Sequence, residues 1–186
     1  MKSLYQKISL AGAVLFLAAV SVAIIINGRP GDLFVDDTRY SKEIAEAAAR
    51  HGIPAQLVRA VVFQESRFDP TARGKKGEYG LMQLLPSGAV ADWAKYRKQH
   101  VPSAEELLKP ELNLEIGCWY LGKALRRWQD YSDSVELALA QYNAGAARVN
   151  KWKPESKTGK LLPRVTLPGT RHYISRIMKR YRSYLK

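Results

Sequence analysis

The stretch "LVRAVVFQESRFDP", residues 57–70, decides how the rest of the chain is read. On a helical wheel at 100° per residue, Leu57, Val58, Val61, Val62 and Phe68 share one side. That is the apolar stripe of a helix packed on a core. Glu65 falls near the middle of the same stripe, one turn after Val61 and Val62. Its helical neighbours at three and four residues are Val61, Val62, Phe68 and Asp69, and none is basic. Burial without a cation disfavours the charged carboxylate and raises its pKa, which suits a general acid near neutral pH. The competing expectation is a Lys or Arg that reaches Glu65 from elsewhere in the fold.

Working outward, the pattern stays helical. "SKEIAEAAARHG", from Ser41, offers Ser41 as an N-cap and Gly52 as a stop, and Pro54 suits the first turn of the next helix. Residues 69–79 read as a loop rich in Gly and Lys. "YGLMQLL" reads as a short helix closed by Pro86, and "SGAVADWAKYRKQ" as another helix. "SAEELLK" carries a capping box, Ser103 with Glu106. "PELNLEIGCWYLGKALRRWQDY" is the longest helix and the expected centre of the domain. "SVELALAQYNAG" follows, with Gly145 as terminator. Residues 153–169 read as loop, and "TRHYISRIMKRYRSYLK" as a final basic helix. No run of alternating β-branched residues appears, so the expected fold is all-α or nearly so.

Ahead of this domain, "ISLAGAVLFLAAVSVAIII" runs from Ile8 to Ile26 without a charge. As a helix it would extend roughly 28 Å, about the hydrocarbon thickness of a bilayer. Lys2 and Lys7 precede it, which keeps the N-terminus cytoplasmic and sends the rest outward. Residues 1–26 are therefore expected to form a membrane anchor, favoured over a cleaved signal peptide because the small-x-small sites lie inside the apolar run. Residues 27–40, with Gly28, Pro30, Gly31 and several aspartates, read as a linker to a domain over 41–186.

The 186 residues are 46% hydrophobic and 10% aromatic, enough for one domain with a core. The formal net charge is +13, of which Lys2 and Lys7 supply two. Such a surface attracts polyanions. In an exported domain that points to anionic wall or lipid rather than to nucleic acid, for which no recognition motif is present. The single cysteine, Cys118, recurs with Leu114, Leu121 and Leu125 at helical spacing and reads as a core residue. His51, His100 and His172 are scattered and form no ligand pattern, so neither metal nor cofactor is expected.

Several polar residues after Glu65 have bland readings singly: Gln83 as a surface amide, Tyr142 as a core aromatic, Tyr173 as a packing residue. Gly77 and Gly80 could let backbone approach a ligand, and Met82 could give an adaptable apolar contact. Four blocks in order carry more. They are "QESRFDPTA" with Glu65 and Ser66, Gly80-Leu81-Met82-Gln83 followed by Pro86, Tyr142-Asn143-Ala144-Gly145, and Thr170-x-x-Tyr173 with Ile174 and Ile177. Together they resemble the SLT-type lytic transglycosylases of the lysozyme-like superfamily, over about residues 41–180.

The resemblance implies a lysozyme-like helical domain acting on the glycan of peptidoglycan. Glu65 would protonate the oxygen of the β-1,4 bond after the muramic sugar, then accept the proton of that sugar's C6 hydroxyl as it attacks C1. The product would be a 1,6-anhydro end. It implies that Ser66 bonds Glu65 or the acetamido group, that Gln83, Tyr142 and Tyr173 line the groove with Tyr173 near Glu65, that Met82 and Asn143 support it, and that Gly80 is among the substrate-binding residues. It implies a domain held by its anchor in the periplasm or cell-wall space, with wall or secretion machinery as possible company. Two positions depart from the family pattern. Glu78 stands where a small residue is common, and Gly169 where an acidic one is. A surface ion pair with Lys75 or Lys76 is the expected role of Glu78; in the cleft it would instead activate water and give a hydrolytic muramidase. A non-catalytic wall-binding scaffold is the remaining alternative, and it requires Glu65 to be paired off structurally.

Overall fold

The computed structural model describes residues 35–186. The apolar run at 8–26 and most of the expected linker lie outside the described residues. Among the described residues no helix is long and apolar enough to cross a membrane. The folded body begins at Asp37, and residues 37–40 form a turn rather than a solvated linker.

Eight α-helices follow among the described residues: α1 Ser41–His51, α2 Ala55–Ser66, α3 Ala91–Arg97, α4 Ala104–Leu107, α5 Pro110–Trp128, α6 Ser134–Ala144, α7 Ala146–Trp152 and α8 Pro168–Ser183. A wider turn, Pro86–Val90, leads into α3. No strand forms among them, in keeping with the all-α expectation. α5 is central: it packs on α1 and α6, while α2 packs on α1 and α8, and α8 also packs on α6. The inward stripe of α5 carries Leu114, Cys118 and Leu121, all fully buried. Burial pushes the Cys118 thiol up to about 12, so it behaves as a small apolar side chain.

The helix ends show which local signals operate. Ser103 and Glu106 form the capping box on α4. Ser41 does not cap α1: it is the first helical residue, Tyr40 holds the cap position, and the Ser41 hydroxyl donates to the Thr38 carbonyl at 2.7 Å. Gly145 ends α6, but the chain turns at once into α7, a helix with no separate signal in the sequence pattern.

The expected short helix "YGLMQLL" is instead a closed turn. Tyr79 and Leu84 exchange main-chain hydrogen bonds at 3.0 Å each way, and Gly80 and Gln83 take φ of +74° and +45°. A helix would leave part of the set Leu81, Met82 and Leu84 facing outward. The turn buries all three, and that burial offsets the left-handed backbone. Pro86 accordingly opens the next element rather than closing this one.

Candidate active site

Glu65 sits in the last turn of α2, after the buried run Leu57, Val58, Ala60, Val61, Val62 and Phe63. The helix stops immediately beyond it. Arg67 and Phe68 both take left-handed φ, 54° and 64°, a costly conformation for residues with side chains. The reversal returns Phe68 to the core, 2% exposed and edge-on to Phe63 at 6.4 Å between ring centres. Glu65 is thereby held at the rim of the core, half-buried.

From α8, the Tyr173 hydroxyl donates to Glu65 Oε1 at 2.6 Å. No cation is among the groups that shift Glu65, so the alternative of a structural ion pair finds no partner among the described residues. Burial raises its pKa from 4.5 to about 7; the Tyr173 hydrogen bond pulls it down less strongly, and the charge of Glu78 adds a smaller upward push. The carboxyl thus exchanges its proton near neutral pH. Burial first, and Glu65 second, hold the Tyr142 and Tyr173 phenols well above their ordinary range. Both hydroxyls stay protonated and act as donors.

The closed turn supplies the floor. Asn113, fully buried on α5, accepts from the Met82 N–H at 2.8 Å and donates to the Tyr79 and Leu107 carbonyls at 2.8 and 2.7 Å. Gly80 lies against this amide and the Leu107 carbonyl so closely that a Cβ would overlap both. Its missing side chain admits the Asn113 amide and the Leu107 backbone. Met82 is likewise inside: its side chain is fully buried against Gly117, which has no Cβ to obstruct it. The Met82 carbonyl accepts from Tyr142 at 2.8 Å, which ties the turn to α6.

Of the two partners expected for Ser66, Glu65 is not the one its hydroxyl meets. Its hydroxyl donates to the Leu81 carbonyl at 2.8 Å and lies 3.3 Å from the Val62 carbonyl. It fastens α2 to the turn rather than bonding Glu65. The Gln83 amide donates to the Gly80 and Ala72 carbonyls at 3.0 and 3.2 Å, which aims its carbonyl oxygen away from them. Asn143 is exposed at the end of α6 and accepts from Thr170 at 2.8 Å. Glu78 takes the main-chain N–H of Lys76 at 2.9 Å instead of pairing with a lysine side chain. The structure therefore brings the Tyr173 hydroxyl to Glu65, the Tyr142 hydroxyl to the Met82 carbonyl and Thr170 to Asn143, and sets the Ser66 hydroxyl and Gly80 against protein backbone.

Asn113 is the residue that sequence reasoning missed. The signal was the one that marked Glu65: a polar side chain in line with Gly117 and Leu121 on the inward stripe of a helix.

A helical body built on a central buried helix, with one proton-exchanging carboxyl at the end of a neighbouring helix, defines the lysozyme-like class of fold. Within it, the chain belongs to the transglycosylase SLT domain family, whose sequence profile matches residues 42–161. It is 35% identical over 114 residues to the membrane-bound lytic murein transglycosylase F of Desulfosudis oleivorans, covering 60% of this chain and 23% of that protein. It is 33% identical over 100 residues to the soluble lytic murein transglycosylase of Escherichia coli K12, covering 54% and 15%. The chain thus spans a quarter or less of the length of these relatives. Among solved structures, it is similar to an inactive glutamate-to-glutamine mutant of a lytic transglycosylase from Pseudomonas aeruginosa, at 25% identity and a TM-score of 0.69 over 83% of this chain and 25% of that one. A 70-kDa soluble lytic transglycosylase in complex with bulgecin A matches at 25% identity and 0.68, over 80% of this chain and 24% of that one.

Proposed function

We propose that the protein is a peptidoglycan lytic transglycosylase that cleaves the bond between N-acetylmuramic acid and N-acetylglucosamine and leaves a 1,6-anhydro muramic end. The observation that carries this reading is the Glu65 carboxyl, with a pKa of about 7 and the Tyr173 hydroxyl 2.6 Å from one of its oxygens. Protonated, Glu65 gives its proton to the glycosidic oxygen as the C1–O bond breaks. The carboxylate it becomes takes the proton of the C6 hydroxyl as that oxygen bonds to C1. The proton count on Glu65 is restored and no water is consumed. An intramolecular nucleophile makes a second catalytic carboxylate unnecessary, unlike in most glycosidases.

Tyr173 holds the Glu65 carboxyl in one orientation and stabilises its charged form after proton transfer. Gln83, Tyr142 and Asn143 face the sugars. Ser66, Gly80 and Met82 hold the floor on which they stand. The names of the relatives span both membrane-bound and soluble proteins; the charge-free run at 8–26 supports an anchored protein with this domain on the outer side of the membrane.

Digestion of purified sacculi tests the reaction. Anhydro products are lighter by one water than hydrolytic ones, and wild type should yield only the lighter set. Glu65→Gln should lower the rate by about 10²-fold to 10⁴-fold, the usual contribution of a positioned acid. Reducing-end products would replace this reading with a muramidase, for which the proximity of Glu78 to Glu65 is the favouring feature. Undiminished cleavage by Glu65→Gln would remove Glu65 from the mechanism.

A further inference from the structure

The outer side of α8 carries a cavity of about 400 Å³ that the glycan chemistry above does not use. Lys179, Arg182 and Lys186 line it, and Glu136 of α6 is the one acid that does so among the described residues. All three cations are exposed, and Arg182 comes only to 4.0 Å from Glu136. Three positive charges against one negative leave this face positive. Met178 and Leu162, both half-buried, give the same cavity an apolar lining. Leu185, beside Lys186 in the chain, is 59% exposed. Cations standing over apolar side chains suit one kind of partner in particular, a bilayer with phosphate headgroups above its acyl chains.

Two further observations favour that partner. The first is the tether. The Tyr184 hydroxyl donates to Asp37 at 2.7 Å, so the end of α8 lies where the folded body begins. Residues 27–36 alone separate Asp37 from the apolar run at 8–26. Fully extended, they reach no more than about 40 Å, roughly the width of a domain of this size. The second is orientation. At about 100° per residue, Arg182 stands about 180° around α8 from Tyr173, whose hydroxyl meets Glu65. A bilayer against Arg182 therefore leaves Tyr173 on the far side of the helix.

We propose that this face of α8 docks on the anionic phospholipid headgroups of the membrane and holds the domain with Glu65 turned toward the wall. The proposal rests on the reading of residues 8–26 as an anchor. The anchor alone fixes how far the domain can travel. Docking of α8 fixes which way it faces.

The full chain reconstituted in vesicles tests this. Cys118 is buried, with its thiol pushed up to about 12, so an introduced cysteine can be labelled alone. A fluorophore is placed on Ser183→Cys, which borders the cavity, or on Lys75→Cys, exposed on the loop that follows Glu65. The quencher is carried on lipid headgroups. The vesicles are phosphatidylcholine alone, or phosphatidylcholine with phosphatidylglycerol. Quenching at Ser183→Cys should show the ratio of docked to undocked domain rising about tenfold or more with the anionic lipid, as expected for a net two charges at the surface. Quenching at Lys75→Cys should not rise. Adding Lys179→Gln/Arg182→Gln/Lys186→Gln to Ser183→Cys should return it to the value in neutral lipid. Equal quenching at Ser183→Cys in the two lipids, a rise undiminished in the triple variant, or an equal rise at Lys75→Cys would each overturn the proposal. So would reversal by inorganic phosphate at matched ionic strength, since that would assign the cavity to the free anion. Flotation of the full chain with neutral vesicles reports on the anchor alone, so its failure is separable from a failure of the α8 face.

Discussion

Glu65 couples function to stability through a single proton. Its pKa is about 7 in the folded protein against an ordinary 4.5, so the folded state binds that proton more tightly than the unfolded chain. The native carboxyl resists ionisation, and stability falls as pH rises from about 4.5 to about 7, by roughly 3 kcal/mol in all. Glu65→Gln keeps the acceptor oxygen for Tyr173 but cannot ionise. The variant should therefore unfold at higher urea than wild type at pH 8, with the gap closing at pH 5; a gap that widens toward acid pH would contradict this. The same proton sets the rate. Because the protonated form is the acid, kcat/KM should fall as pH passes above about 7. Glu78→Gln removes one upward push on Glu65 and should move that limb to lower pH without changing the product masses.

At the level of elements, the join between α5 and the 79–84 turn matters most. Asn113 satisfies the Met82 N–H and the Leu107 carbonyl, and adds a second donor to the Tyr79 carbonyl, which already accepts from Leu84. Asn113→Leu keeps much of the volume but strands the Met82 N–H and the Leu107 carbonyl in the core, at about 1–3 kcal/mol each. A loss of about 3 kcal/mol or more in urea unfolding, accompanied by a lower kcat, is expected; a loss under 1 kcal/mol would mean that the turn holds without Asn113. This join also marks where the sequence stops being legible. The helices were readable because each buries one face at a period of 3.6 residues, and Glu65 stood out because it broke that pattern. The turn broke no pattern. Leu81, Met82 and Leu84 are spaced acceptably for a helix, and what bends them is an amide 31 residues away from Met82. Gln83, Tyr142 and Tyr173 came from motif order, since nothing in the local pattern of any one of them forecasts a neighbour of Glu65. The same limit explains Ser66 and Gly80: their partners, the Leu81 and Leu107 carbonyls, are brought in by the tertiary fold alone.

For the molecule as a whole, part of the net charge of +13 lies along α8, where Arg171, Arg176, Lys179 and Arg182 are exposed. Retention of the protein on purified walls should drop as salt is raised from roughly 50 mM to 500 mM, because the screening length shortens to a few ångströms; salt-independent retention would exclude charge as its basis. One contact also joins the two ends of the folded body. Asp37, at its start, accepts from the Tyr184 hydroxyl at 2.7 Å and pairs with Arg59 at 2.6 Å, while the Arg59 guanidinium lies 4.4 Å from the centre of the Tyr184 ring. Chain order is therefore not what defines this architecture. A circular permutant that fuses the end of α8 to Asp37 through a short linker, and opens between the exposed Gln99 and His100, should fold and place Glu65 against Tyr173 as before.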